Sequence, residues 1–348
     1  RLLRVLSAFF GWLPGGIALM VVVACAVFTW GGSAVTILGL GGLLVPMMVE
    51  ARYPEKFCLG FLNGSGAIGL LFPPSIPVIL YGVYAHTPID RLFVAGLLPG
   101  CLMAALVGAL GVREGVRRQA ARPPFAPREA LRSLWDAKWE LGLPVVVLVG
   151  FFGGLGTLTE AAALTVIYAL VAEFFIYRDL SLRRDYVRVA RECAVVMGGV
   201  LVILAVAMGF SNYLVDAQIP MQIAAWAQAS VHSKGLFLLL LNGVLLLVGS
   251  TMDIFPAILV LAPLVAPLGA SFGVDPLQLG IIFLANLELG FLTPPAGLNL
   301  CLAAYRFRQP MFTITRATLP FYAVLLAGVL LITYFPALTL APVHWFYR

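Results

Sequence analysis

A seven-residue phrase containing a Pro-Pro pair occurs twice in this chain and limits its possible folds more than any other feature. Gly-Leu-Leu-Phe-Pro-Pro-Ser at 69–75 is matched 221 residues later by Gly-Phe-Leu-Thr-Pro-Pro-Ala at 290–296. Each copy interrupts an apolar run. Proline breaks a helix, and the backbone groups it frees find no water in lipid. Two copies in register therefore predict two broken helices in a duplicated architecture. The alternative is that each pair only kinks a helix for packing.

Composition predicts that both breaks lie within a membrane. Apolar residues make up 61% of the chain and charged residues 11%, whereas soluble domains have about 45–50% and about 25%. Several runs reach the ~20 residues that a spanning helix needs. We therefore expect an all-α, polytopic membrane protein.

Other classes of protein are disfavoured by what the sequence contains. The five cysteines form no C-x-x-C pair, and the three histidines lie far apart, so we expect no redox centre and no transition-metal site. No nucleophile and base can be paired, which argues against an intramembrane enzyme. The basic residues lie in short loops and form no nucleic-acid motif, so we expect no nucleic-acid partner.

The offset between the two phrases divides the chain into two repeats, with Gly and Pro clusters marking the breaks. The first repeat, 1–112, is predicted to contain a hairpin at 14–50, a broken helix at 57–85 and a span at 92–112. A hydrophilic linker follows at 113–138, with an amphipathic helix expected near 127–139. The second repeat, 139–348, is predicted to contain spans at 140–155, 158–177 and 190–214, a hairpin at 235–270, a broken helix at 277–304 and a span at 321–340. The three spans that open the second repeat place the expected start of the first repeat before residue 1.

The basic residues predict an orientation. If both hairpins are re-entrant, 19 of the 22 Lys and Arg residues fall on one side, and only Arg91, Lys234 and Arg348 fall on the other. A hairpin that crossed fully would remove most of this bias. The positive-inside rule therefore predicts two re-entrant hairpins, cytoplasmic basic loops and a periplasmic C-terminus. The hairpins then open to opposite sides, as an inverted-topology repeat requires.

A hairpin tip beside a helix break brings free backbone groups together at mid-membrane. Helix N-termini favour anions there, and freed carbonyls suit Na⁺. We therefore expect each repeat to form a pocket from its own hairpin tip and broken helix. The first pocket would contain Ser33, Thr36, Asn63, Ser65 and Ser75. The second would contain Ser250, Thr251, Asp253, Asn286, Thr293 and Asn299.

Three carboxylates each have a structural and a functional interpretation. Asp253 is placed either to cap the second arm of its hairpin or to bind a cation. Glu288 is placed either for ion coupling or for a structural pair. Glu160 follows Thr157 by three residues, a capping-box pattern that predicts a helix start; the alternative is a contact in the central pocket.

Two glycine patterns are interpreted as structural. The Gly-x-x-x-Gly spacings at 60–64 and 150–154 predict close helix packing. Gly-x-Gly-x-x-Gly at 64–69 lacks the preceding strand that a dinucleotide site needs.

Five segments of the chain resemble the large membrane subunit of TRAP (tripartite ATP-independent periplasmic) transporters. They are Gly-Leu-Leu-Phe-Pro-Pro-Ser-Ile-Pro-Val-Ile-Leu-Tyr-Gly at 69–82, Ile-Asp-Arg-Leu-Phe-Val-Ala-Gly-Leu-Leu-Pro-Gly at 89–100, Thr-Glu-Ala-Ala-Ala at 159–163, Met-Asp-Ile-Phe-Pro-Ala at 252–257 and Gly-Phe-Leu-Thr-Pro-Pro-Ala-Gly-Leu-Asn-Leu at 290–300. The resemblance implies an elevator-type, ion transporter-like fold in the bacterial inner membrane. It implies a Na⁺ symporter that imports an organic acid anion such as a dicarboxylate or sialic acid. It also implies two protein partners, a small membrane subunit and a periplasmic substrate-binding protein, and no cofactor besides the coupling Na⁺.

By the same resemblance, Na⁺ would bind at the two pockets and the organic anion between them. The implied sodium residues are Gly31, Ser33, Gly69, Pro73, Ser250, Asp253, Gly290 and Thr293. The implied substrate residues are Thr36, Asn63, Ser65, Ser75, Glu160, Asn286 and Asn299. The first tip departs from the family's serine-rich pattern, because only Ser33 and Thr36 carry hydroxyls between 30 and 36. An anion channel or exporter without Na⁺ coupling is the alternative function.

Overall fold

The computed structural model of the chain is helical throughout the residues that it describes. These are residues 2–28, 33, 36–120, 126–152, 157–178, 181, 185–218, 222, 225, 231, 233–295 and 297–347, and none of them lies in a β-strand. The expected all-α class is therefore confirmed for this part of the chain. The tip of the predicted first hairpin, including Gly31, lies outside the described residues apart from Ser33.

Sixteen α-helices are described along the chain. The first eight are α1 (Leu2–Phe10), α2 (Gly16–Phe28), α3 (Gly41–Glu50), α4 (Glu55–Ile68), α5 (Ile76–Tyr84), α6 (Ile89–Arg117), α7 (Pro127–Asp136) and α8 (Lys138–Phe152). The others are α9 (Leu158–Val171), α10 (Asp185–Asp216), α11 (Lys234–Thr251), α12 (Ile254–Ser271), α13 (Pro276–Gly290), α14 (Leu298–Phe307), α15 (Met311–Tyr334) and α16 (Ala337–Phe346). A 3₁₀ turn follows α4 at Gly69–Leu71, and π-helical segments occupy Thr36–Leu40 and Ala172–Tyr177.

Five of the described helices are long and apolar enough to cross a bilayer, which fits a multi-pass membrane protein. A sixth crossing arises if α4 and α5 count as one span bent by 46°. The long candidates are Ile89–Arg117, Thr159–Tyr177, Lys234–Thr251, Ile254–Ser271 and Met311–Tyr334.

The chain divides into two compact units. One contains Arg1–Phe9 and Pro124–Val206, and therefore most of α1, all of α7, α8 and α9, and the first part of α10. The other contains Phe10–Pro123 and Ala207–Arg348. Both Pro-Pro phrases and the helices around them belong to this second unit.

Both phrases interrupt helices where proline chemistry predicts a break. After the 3₁₀ turn, Phe72 takes an extended backbone (φ −88°, ψ 139°), and α5 begins at Ile76 with Pro77 in its first turn. Proline is tolerated there because the first-turn amide would have no partner within the helix. In the second copy α13 ends at Gly290 and α14 begins at Leu298. The Pro73–Pro74 and Pro294–Pro295 bonds are both cis.

Helices α11 and α12 form a helical hairpin with a two-residue connection. At the open end, the rings of Phe237 and Phe272 stack with centroids 4.3 Å apart. Lys234 Nζ also donates a hydrogen bond to the carbonyl of Gly273 at 2.7 Å. The two arms of 18 residues therefore return to the same end.

The last predicted span differs from the structure. In place of one helix at 321–340, α15 runs from Met311 to Tyr334, and α16 starts anew at Ala337. The break lies at Phe335-Pro336. Proline has no amide hydrogen to continue the helix and disfavours helical backbone in the residue before it.

Glycines allow α4 to pack closely against α15, as the Gly-x-x-x-Gly spacing predicted. A Cβ atom at Gly60 would clash with the carbonyl of Ala317, and one at Gly64 would lie 2.9 Å from Cβ of Phe321. Phe61 packs edge-on against the Phe321 ring. The prediction of glycine-mediated packing is confirmed for this pair.

Each helix break is also packed against elements of the other repeat. Helix α12, the second arm of the second hairpin, packs against α5 after the first Pro-Pro pair. The π-helical segment Thr36–Leu40 packs in the same way against α14 after the second pair. Neither break is therefore enclosed by its own repeat alone.

Candidate functional site

The first hairpin tip makes a direct hydrogen bond to the second break. Ser33 Oγ donates to Asn299 Oδ1 at 2.6 Å, and both residues are buried. Asn299 lies in the first turn of α14, and its backbone N–H donates to the carbonyl of Phe291 across the break. The prediction grouped Ser33 with its own repeat, whereas the structure pairs it with a residue 266 positions away.

Two serines at the first break are buried with uncommitted hydroxyls. Ser65 lies in α4, and Ser75 occupies the N-cap position of α5 without a side-chain capping bond. Neither residue is measurably exposed, and neither Oγ has a hydrogen-bond partner among the described residues. Thr36 lies close by, with its Cγ2 3.7 Å from the position that a Cβ of Gly66 would occupy.

The hydroxyls near the second break are oriented differently. Ser250 Oγ donates to the carbonyl of Leu247 at 2.7 Å, and Thr293 Oγ1 donates to that of Leu289 at 3.1 Å. Thr251 also lies within hydrogen-bonding distance of carbonyls in the last turn of α11. A hydroxyl that gives its proton to a carbonyl keeps its lone pairs for another partner. These oxygens are therefore oriented as acceptors.

Asp253 occupies the N-cap position of α12 with an extended backbone (φ −69°, ψ 158°), as the structural interpretation expected. Its carboxylate faces the backbone N–H groups of Ile254 and Phe255 in the first turn, although neither contact has standard capping geometry. Position and orientation therefore both agree with the capping interpretation. The cation-binding interpretation stays a prediction.

The second hairpin approaches the second break through two glycines. A Cβ at Gly290 would lie 2.6 Å from Cα of Gly249, so only glycine fits this contact. Gly69, the counterpart of Gly290, is buried at the start of the 3₁₀ turn, and Pro73 is half-buried. All of these residues lie at the breaks that the sequence predicted.

Glu288 is the most buried carboxylate near the breaks, with 1% of its surface exposed. Its carboxyl faces the backbone N–H of Leu70 in the first break. Neither oxygen makes a hydrogen bond of standard geometry within the described part of the chain. The structural pair that is one of the two interpretations of Glu288 is therefore not formed with a side chain of the described residues.

Two of the predicted substrate residues link helices to each other. Asn63 Nδ2 donates to Thr318 Oγ1 at 3.2 Å, which joins α4 to α15. Asn286 Nδ2 donates to Asn242 Oδ1 at 2.5 Å, which joins α13 to α11. Asn63 Oδ1 and Asn286 Oδ1 have no partner among the described residues, so a substrate role for either stays a prediction.

Sequence reasoning missed the partners of these amides. Asn242 also accepts from Thr333 Oγ1 at 3.2 Å, and Gln278 Nε2 donates to the backbone carbonyl of Thr333 at 2.9 Å. These partners could have been suspected because each is a polar side chain within an apolar helix, and such residues often form hydrogen bonds to neighbouring membrane helices.

Glu160 forms the capping box that the sequence favoured. Thr157 N donates to Glu160 Oε2 at 2.6 Å, and Glu160 N donates to Thr157 Oγ1 at 3.4 Å. Both residues are exposed and start α9. The pattern therefore marks a helix start, and the substrate contact assigned to Glu160 stays a prediction.

The polar groups around the breaks suit small ions and hydrogen-bonding ligands. Acceptor oxygens at the second break can serve a cation, and uncommitted hydroxyls at the first can donate to an anion. Asn299 Nδ2 is buried without a partner in the described residues and adds an amide donor. In the same residues no three His, Cys, Asp or Glu side chains come together as a metal cluster.

Comparison with known proteins agrees with this architecture. Residues 1–338 match the family described as "Tripartite ATP-independent periplasmic transporter, DctM component". The chain is 36% identical to the C4-dicarboxylate TRAP transporter large permease protein DctM of Pseudomonas aeruginosa over 348 residues, covering 99% of this chain and 81% of that protein.

Two further relatives carry different substrate names. The ectoine/5-hydroxyectoine large permease UehC of Ruegeria pomeroyi is 33% identical, covering 98% of this chain and 80% of the relative. The 2,3-diketo-L-gulonate large permease YiaN of Escherichia coli is 32% identical, covering 96% and 79%. From the family match and these identities, the chain belongs to the DctM family of TRAP transporter large permease subunits.

Proposed function

We propose that this permease subunit couples Na⁺ entry to the import of a small organic acid anion by alternating access. The observation that carries the proposal is the difference in hydroxyl orientation between the two breaks. Ser250 Oγ and Thr293 Oγ1 keep their lone pairs open as acceptors, and Asp253 at the hairpin tip adds a carboxylate, a set suited to Na⁺. Ser65 and Ser75 keep their protons for an anionic acceptor.

Elevator motion is the form of alternating access that we propose. Such motion needs the ligand-binding elements to move as one body, and both breaks and both hairpins fall within one compact unit. The Ser33–Asn299 bond ties the first tip to the second break and supports joint movement. In this proposal both hairpins are re-entrant, the basic loops are cytoplasmic, and the C-terminus is periplasmic in the inner membrane.

The proposed substrate is a small organic acid. Relatives are named for C4-dicarboxylates, isethionate and 2,3-diketo-L-gulonate, and ectoine permeases are also similar. The proposed partners are a small membrane subunit and a periplasmic substrate-binding protein. The binding protein would deliver the substrate and would carry most of the selectivity among related anions.

Transport in proteoliposomes tests the proposal. The chain is reconstituted with its small subunit, a binding protein is added outside, and uptake of radiolabelled succinate, isethionate and diketogulonate is measured. An inward Na⁺ gradient should drive accumulation of at least one substrate, while an equal K⁺ gradient should not. Accumulation that is identical under both gradients would contradict Na⁺ coupling and support a transport mode without it.

A further inference from the structure

Helix α7 exposes apolar side chains directly before an apolar helix. Leu131 and Trp135 are each 70% exposed and lie one helical turn apart, while the adjacent Ala130 is buried. Only Ala137 separates α7 from α8, the apolar helix that follows. A short helix with charged residues on one face and Leu and Trp on the other is typical of the membrane interface.

A cavity lies beside the polar face of α7, within the same compact unit. It has a volume of about 480 Å³ and is lined by Arg4, Arg128, Glu129, Arg132, Ser133 and Asp136. A second cavity of about 230 Å³ shares Arg4, Ser133 and Asp136 with the first and is also lined by Tyr177. The walls of these cavities therefore come from α7, from Arg4 in α1 and from Tyr177 at the end of the π-helical segment after α9.

The cavity offers positive charge that the protein itself leaves unpaired. None of Arg4, Arg128 and Arg132 forms an ion pair with a carboxylate in the described residues, although Arg117, Arg118 and Arg188 elsewhere do. Guanidinium groups match phosphate oxygens in pairs of parallel hydrogen bonds. Glu129 and Asp136 on the same wall can accept hydrogen bonds from hydroxyls.

We propose that this cavity binds the headgroup of an anionic phospholipid of the phosphatidylglycerol type. The three arginines would hold the phosphate, the two carboxylates would accept from the glycerol hydroxyls, and the acyl chains would run along Leu131 and Trp135. An anionic lipid matches both features, because the charged cavity and the exposed apolar side chains belong to one helix. Basic pockets at the ends of membrane helices recognise lipid headgroups by the same chemistry.

The test measures lipid binding by the purified complex of the chain with its small subunit, after delipidation in detergent. Native mass spectrometry follows the titration with dioctanoyl phosphatidylglycerol and, in parallel, dioctanoyl phosphatidylcholine. We expect the anionic lipid to bind at least tenfold more tightly. The R128A/R132A double variant should lower that affinity by about 30-fold, since each arginine near an anionic lipid contributes about fivefold. Affinity for phosphatidylcholine should not change.

The matched control is R117A/R118A, which removes the same charge from arginines already paired with Glu114. It should bind the anionic lipid as the unmodified chain does. Equal affinity for the two lipids, or an equal loss in the control, would overturn the proposal. So would displacement of the lipid by inorganic phosphate at equal concentration, which would indicate a free-anion site. Loss of the small subunit from R128A/R132A with lipid binding intact would instead indicate a protein interface.

Discussion

At the first break, buried Ser65 and Ser75 keep hydroxyls that bond to nothing in the described residues, whereas at the second break Ser250 and Thr293 donate theirs to helix carbonyls. The backbone plan is similar at both places, with a helix, a cis Pro-Pro bond and a second short helix. The side chains differ in hydrogen bonding: the serines at the first break still have a proton to donate, and the hydroxyls at the second break have only lone pairs left. The comparison shows that a duplicated backbone can leave hydrogen-bond acceptors open at one break and hydroxyl donors open at the other.

Carboxylates sharpen the same contrast, because only the second repeat places them near a break. Asp253 precedes α12, and Glu288 lies two residues before Gly290. The corresponding positions in the first repeat, 221 residues earlier, are Gly32 and Ala67. Asp253 therefore gives the second hairpin tip a carboxylate that the first tip lacks, whereas Glu288 belongs to the second repeat but faces Leu70 in the first break.

The largest expected effect comes from removing the charge at Asp253. Asp253→Asn keeps the shape of the side chain, and we expect the Na⁺ concentration for half-maximal uptake to rise more than tenfold. A hydrogen bond or ligand contact to a charged group contributes about 1.5–3 kcal/mol, and each 1.4 kcal/mol is about tenfold in affinity. The measurement is uptake against Na⁺ concentration in proteoliposomes. Glu50→Gln, at an exposed carboxylate of α3, is the control and should leave the Na⁺ dependence of uptake unchanged. An unchanged Na⁺ dependence in Asp253→Asn would exclude a coupling role for Asp253.

A smaller effect is expected where the second hairpin meets its break. Gly290→Ala places a methyl group 2.6 Å from Cα of Gly249. Overpacking of this kind costs about 1–3 kcal/mol, so we expect the variant to unfold at a lower temperature in detergent.

Gly243→Ala is the matched control for that variant, since a methyl group there has no atom within 4 Å. It should unfold at the same temperature as the unmodified protein or slightly above it. Equal unfolding temperatures for Gly290→Ala and Gly243→Ala would contradict the close contact between Gly249 and Gly290.

The smallest of these effects concerns the bond that joins the repeats. Ser33→Ala and Asn299→Ala each remove one end of the 2.6 Å hydrogen bond. We expect a coupling energy of about 1 kcal/mol in a double-mutant cycle of unfolding free energies, because the two residues act on one interaction. Strictly additive losses would mean that the first tip and the second break are independent.

Local chemistry made much of the fold predictable. Helices break at Pro73-Pro74 and Pro294-Pro295 because proline cannot continue them. Thr157 and Glu160 mark a helix start by their spacing alone, and the Gly60–Gly64 spacing indicated close packing. Each of these features depends on residues within one turn or one helix face, which a sequence displays directly.

Contacts between repeats were not predictable in the same way. The offset of 221 residues shows which positions correspond, but it does not show which positions touch, so Ser33 was placed with its own repeat. For the same reason the sequence could not distinguish a ligand contact from a helix contact for Asn63. Its partner Thr318 lies 255 residues away. The break at Pro336 was missed because the surrounding run is apolar on both sides.

The most direct test of the division between the two breaks compares Ser75→Ala with Ser250→Ala in the same proteoliposomes. Two constants are measured for each variant: the KM for the organic anion and the Na⁺ concentration for half-maximal uptake. We predict that Ser75→Ala raises the KM by about threefold or more without changing the Na⁺ dependence, since one hydrogen bond contributes about 0.5–1.5 kcal/mol. For the same reason Ser250→Ala should raise the Na⁺ concentration for half-maximal uptake and leave the KM unchanged. The division would be contradicted if both variants changed the same constant, or if Ser75→Ala changed only the Na⁺ dependence.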